Sequence, residues 1–165
     1  MRPVVVTASG ERKMVAQCVF TGERIFNSVR GFPVVKGTLV INDHAGATLG
    51  SYVVNSGGGA ATFKKTNGPV PQGDYRVSSF RERTKVGMVL NGVGYSFNID
   101  PLRGTDVFGR SLFRIHPDGG NEQTNGCLGV RENATKLKAC RDQLRMLLDQ
   151  GHVEVSVSYA GLAIS

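Results

Sequence analysis

The 165-residue sequence has no run of about 18 apolar residues, so no membrane-spanning helix and no membrane insertion are expected. Its three cysteines, Cys18, Cys127 and Cys140, are too few and odd in number for a disulfide scaffold, and at least one thiol should be free. Lys and Arg are scattered, with no row of bases interleaved with stacking aromatics and no zinc-finger spacing, so a nucleic-acid partner is not expected. Arg2 and the brief Val4-Val5-Val6 run are followed at once by polar and charged residues up to Lys13. That cuts off any signal-peptide apolar region, and the expectation is synthesis in the cytoplasm. No repeat, low-complexity tract or linker is visible, and the length suits one catalytic domain over residues 1–165.

What the chain has in abundance is glycine and positive charge. The 22 glycines fall between short apolar stretches rich in Val, Phe, Ile and Thr, a pattern of many strands and turns. The formal charge of +7, from 20 Lys and Arg against 13 Asp and Glu, serves either solubility or attraction to a polyanion such as an anionic cell-wall polymer.

Residues 14–20 read as a first strand ending in a turn at Thr21-Gly22, and Gly31, Pro33 and Gly37 punctuate a loop over 31–37. Residues 38–42 and 51–55 form a hairpin around Asp43-His44-Ala45-Gly46. Two prolines fix a tight loop over 67–77 before a strand beginning near Asp74, and 86–90 with 95–99 form a second hairpin around Asn91-Gly92. Residues 111–116 alternate, with Leu112, Arg114 and His116 on one face. Asn133 caps a helix over 134–150, in which Leu137, Cys140, Leu144 and Leu147 or Leu148 share a face and Gly151 is the stop. Alternating Val153, Val155 and Val157 end the chain as a strand. The fold class is mainly β with one long helix, α+β.

Cys127 follows a polar, glycine-containing loop and precedes the helix cap. A free cysteine is more often buried filler, and Cys140 on the apolar helix face and Cys18 in a strand fit that reading. A nucleophilic cysteine needs a base within reach, and histidine suits proton transfer near neutral pH. Of the three histidines, His44 lies at a hairpin tip and His152 at the helix-to-strand junction. His116, at a strand end, can be folded back onto Cys127 by the intervening loop.

Phe113-Arg114-Ile115-His116 followed by Thr124-Asn125-Gly126-Cys127-Leu128 resembles the active-site signature of the L,D-transpeptidase (YkuD-type) catalytic domain, a strand-end histidine before a Ser/Thr-x-Gly-Cys-apolar segment. The Gly-Pro-x-Pro-x-Gly-x-Tyr pattern from Gly68 and the hairpin before it are similar to segments of the same family. The resemblance spans residues 38–130 and leaves 1–37 uncovered. It implies an L,D-transpeptidase-like β-sandwich and a cysteine acyltransferase or peptidase, with no cofactor or metal, whose substrate is a peptidoglycan stem peptide. In that family's chemistry His116 takes the proton of Cys127, and the thiolate attacks the carbonyl of the third stem residue and expels D-alanine. Attack by an amine then gives cross-linking, and attack by water gives L,D-carboxypeptidase activity. The resemblance also implies that the Pro117 carbonyl orients the imidazole, that Gly126 and Cys127 present N–H groups to the oxyanion, and that Thr124, Asn125 and Arg131 bind substrate, Arg131 through a carboxylate.

The chain departs from the family in a short His-to-Cys loop, as in compact L,D-transpeptidase-like toxic effectors. Asn125 stands where many members have a second histidine, Gly129 where Asn or Arg is common, and Pro117 where Gly or Ser is frequent. Without a leader, the wall would be reached through a phage lysis system with its holin, as an endolysin, or through a secretion machine, as an antibacterial effector. Three alternatives compete: a papain-like cell-wall amidase using Cys127 and His152, a zinc site from His116, Asp118, Cys127 and His152, and a catalytically inactive wall-binding module.

Overall fold

The computed structural model describes residues 4–6, 12–119, 124 and 126–165. The strands in chain order are β1 (Val4–Val6), β2 (Arg12–Asn27), β3 (Pro33–Asn42), β4 (Thr48–Ser56), β5 (Gly73–Glu82), β6 (Val89–Leu90), β7 (Val93–Pro101), β8 (Arg114–Pro117) and β9 (Leu128–Val130). The helix α1 (Ala134–Gln150) and the strand β10 (His152–Ser158) follow. A single 3-10 turn, Val86–Met88, precedes β6.

The chain is mainly β with one helix, and its strands close on themselves. From β2 the order runs through β10, β5, β7, β8, β9 and β4 to β3, which pairs back with β2. The product is an eight-stranded barrel, whereas the resemblance implied a β-sandwich. Closure depends on β2, which continues through Thr21-Gly22 instead of turning there. Its residues 15–21 pair in parallel with β10, and residues 18–27 pair antiparallel with β3 across a register shift between Gly22 and Arg24. Such a bulge bends a strand and increases its local twist. Gly22 permits a close approach: a Cβ there would lie 2.4 Å from the Tyr159 ring. Of the loop expected over 31–37, residues 33–37 are consequently absorbed into β3, and Gly31 and Phe32 remain in the turn before it.

The hairpin of β3 and β4 and the turn at Asn91-Gly92 lie where the sequence places them. The expected strand over 86–90 is mostly the 3-10 turn, and the strand ending in His116 is shorter than expected, because Leu112 lies outside it with φ 63°. Asn133 caps α1 by accepting a 2.9 Å hydrogen bond from the Lys136 N–H. Leu137, Cys140, Leu144 and Leu147 are buried in the core, and the helix packs on β4, β5, β7 and β10. Leu148 is only half-buried, which settles the alternative at the last apolar position.

Urea titration should therefore rank two substitutions in α1. Leu144→Ala should cost about 2–5 kcal/mol through lost burial and a cavity. Asn133→Ala should cost about 1 kcal/mol through the lost cap. Equal costs at the two positions would contradict this packing.

Candidate active site

β8 and β9 run in parallel, with Ile115 opposite Leu128, His116 opposite Gly129 and Pro117 opposite Val130. Ile115, Leu128 and Val130 belong to the core. Alternation along each strand therefore sends Arg114 and His116 to the other face. Cys127, one residue before Leu128, falls beside Arg114 and diagonal to His116. Gly129 puts no side chain opposite His116. Cys127 and His116 line one cavity of about 450 Å³, together with Lys85, Leu112, Arg114 and Thr124.

His116 is buried, and its Nδ1 lies 2.6 Å from the Pro117 carbonyl oxygen. A carbonyl only accepts, so the neutral ring carries its proton on Nδ1 and leaves Nε2 unprotonated. Burial holds the imidazole below its ordinary pKa of 6.5; the bond to Pro117 opposes this, and the charges of Arg114 and Arg83 add to it.

Cys127 is 8% exposed, and its thiol donates toward the Leu112 carbonyl oxygen at 3.8 Å. Burial pushes the thiol above its ordinary 9.0, while the Arg114 backbone N–H and the charges of Arg114 and Arg110 pull the other way. The resting pair is therefore a neutral thiol and a neutral imidazole. No hydrogen bond joins the two side chains among the described residues. Cys18 and Cys140 differ in kind: both are fully buried in the core, and burial pushes each thiol to about 12.

The segment before Cys127 is tied down from several sides. Thr124 Oγ1 donates to the Cys127 carbonyl at 2.7 Å and accepts from the Gly57 N–H at 3.1 Å, and the Thr124 N–H donates to the Gly57 carbonyl at 2.8 Å. Gly126 has φ +89°, and a Cβ there would lie 2.1 Å from Arg110 Nη2. Arg110 itself donates to the carbonyls of Phe63, Thr66, Gly68 and Pro69, pinning the loop before β5 beside the site. Asn125 lies outside the described residues.

Arg131, to which the resemblance assigned a substrate carboxylate, does not line the cavity. Its Nη1 lies 3.7 Å from Oδ2 of the fully buried Asp118, which also accepts from Asn55 Nδ2 at 3.1 Å. The cations that do line the cavity are Lys85 and Arg114. Arg114 was legible in the sequence, since it alternates onto the same face as His116. Lys85 arrives from a distant segment and carried no such signal.

His152 does not meet Cys127. It lines a separate cavity with residues of β5 and α1, its Nε2 lies 3.5 Å from Glu154, and its carbonyl contacts His44 Nε2 at 3.1 Å. The papain-like pairing and the four-residue zinc set are therefore not assembled. No cluster of three His, Cys, Asp or Glu suited to a metal ion occurs among the described residues.

Two measurements follow from these environments. Iodoacetamide should label Cys127 ahead of Cys18 and Cys140, at a rate that climbs with pH through a thiol pKa above 9.0. A reactivity plateau reaching below about pH 7, the mark of a thiolate–imidazolium pair, would contradict the neutral pair. His116 also links stability to pH. Below its ordinary 6.5 the unfolded chain binds a proton that the folded chain resists, so stability is lost as pH falls through that value. His116→Gln should flatten this part of a melting-temperature profile, and an unchanged slope would count against a buried neutral imidazole.

Comparison with protein-family models, with curated proteins and with solved structures finds no match to this chain.

Proposed function

We propose that the protein is a cysteine acyl-transfer enzyme of the L,D-transpeptidase type, acting on peptidoglycan stem peptides. The observation that carries this reading is the placing of Cys127 and His116 on one cavity, with Nδ1 of the imidazole held by the Pro117 carbonyl so that Nε2 is left to accept a proton. The stem peptide as substrate rests on the resemblance of residues 113–128 to that family's signature.

The chemistry begins with rotation of the thiol away from the Leu112 carbonyl. His116 Nε2 takes its proton as the sulfur attacks the scissile carbonyl, forming a C–S bond. The tetrahedral oxyanion is held by main-chain N–H groups at Gly126 and Cys127, a kind of contact worth about 3 kcal/mol per donor. As the C–N bond breaks, His116 returns the proton to the leaving amine, and a thioester remains on Cys127. An acceptor amine or water then gives up a proton to His116, attacks the thioester and regenerates the thiol. A neutral resting pair suits this cycle, because His116 starts unprotonated and acts first as base.

Incubation of the purified protein with muropeptides, followed by mass spectrometry, tests the proposal. Loss of the terminal residue, or its exchange for an added D-amino acid, is the expected product. Cys127→Ala should abolish turnover, and His116→Ala should lower it by about 10²- to 10⁴-fold. His152→Ala should leave it unchanged. Turnover that survives Cys127→Ala would overturn the proposal, and a failure of the wild-type protein to react would favour the inactive wall-binding module.

A further inference from the structure

Among the described residues that line the Cys127 cavity none is acidic, and two are cations, Arg114 and Lys85. The arginines around the site differ in what they already hold. Arg110 donates to four carbonyls, Arg83 Nε donates to Ser96 Oγ at 2.8 Å, and Arg131 lies against Asp118. Arg110 and Arg114 both bury an Nε without a hydrogen-bond partner, but of these arginines Arg114 alone has no ion pair and no side-chain hydrogen bond among the described residues. A guanidinium that lines a cavity and is committed to no protein acceptor is available to an anion entering that cavity. The parallel register sets Arg114 beside Cys127, and Lys85 reaches the same cavity from the segment before the 3-10 turn.

We propose that Arg114, assisted by Lys85, is the specificity-determining residue for substrate: it binds a carboxylate of the acyl donor next to Cys127. The planar guanidinium fork matches a carboxylate and fixes its orientation, which a point charge does less well. The inference rests on Cys127 being the nucleophile, and it replaces Arg131 in the carboxylate-binding role. In a stem peptide the carboxylate is either the C-terminal one or one on a side chain.

The test compares alkylation of Cys127 by iodoacetate, which is anionic, with alkylation by iodoacetamide, its neutral isostere. In both cases the thiolate displaces iodide, so a change in thiol pKa cancels in the ratio of rates. Iodoacetate should react with saturation kinetics and be the preferred reagent, and added salt should weaken that preference. Arg114→Met should lower the iodoacetate-to-iodoacetamide ratio by about tenfold or more, Arg114→Lys should retain part of it, and Arg76→Met, in the other cavity, should not change it. Should Arg114→Met fail to fold, the wild-type protein still decides the matter: a peptide with a free C-terminal carboxylate should protect Cys127 from iodoacetamide better than its carboxamide does. A ratio indifferent to Arg114, or equal protection by acid and amide, would overturn the proposal. Tetrapeptides amidated at the C-terminus or at a side chain separate the two carboxylates, each through a raised KM at the one that matters. A wild-type protein that shows no preference for iodoacetate yet still turns over muropeptides would sink this inference alone; preference without turnover would uphold it and sink the stem-peptide reading.

Discussion

Parallel neighbours in a sheet ordinarily need a long crossover between them, usually a helix, yet residues 118–127 alone carry the chain from the end of β8 to the start of β9. The pairing they allow sets the candidate site. A slip of one residue in β9 would send Cys127 into the core and Leu128 into the cavity, and a slip in β8 would exchange His116 with Ile115. The register is held from both sides: β9 pairs with β4, and the Asp118 N–H donates to the Val130 carbonyl at 2.9 Å. Leu128 and Val130 fix which face is apolar, and Thr124 clamps the end of the loop to Gly57. Cys127 and His116 are thus placed by the same contacts that hold the barrel wall together.

Electrostatics at the site follow from that placement. Covering the outer face of β8 and β9 removes water from both the imidazole and the thiol, and each is driven toward its neutral form. Arg114 acts on both: its charge disfavours a protonated imidazole and favours a thiolate. A substrate carboxylate on Arg114 would offset that charge and so couple binding to the readiness of the pair. Leu112, with positive φ, offers the thiol a carbonyl partner in the resting state.

Much of this was legible in the sequence where local chemistry is strong. Asn133 and Gly151 bracket α1, the 3.6-residue spacing of Leu137, Cys140 and Leu144 gives its buried face, and alternating valines give β10. His116 at a strand end and Cys127 after a glycine are readable as a pair because few residues separate them. The departures arise where long-range pairing overrides local signals. Gly22 and Gly37 read as punctuation but face each other within paired strands, one leaving room for Tyr159 and the other for the Thr21 carbonyl. Closure of the barrel through β2 and β3 cannot be read from either strand alone, and neither can β9, which is only three residues long. The diversion of Arg131 to Asp118 and the arrival of Lys85 at the cavity are likewise properties of the folded chain.

Nitrogen-15 NMR of the imidazole rings, with the His116 signals identified by comparison with His116→Gln, tests most directly whether this ring is the base for Cys127. The expected spectrum at neutral pH has the proton on Nδ1 and a bare Nε2, whose resonance moves when Cys127 is alkylated. A proton on Nε2, or an Nε2 signal indifferent to alkylation, would contradict it.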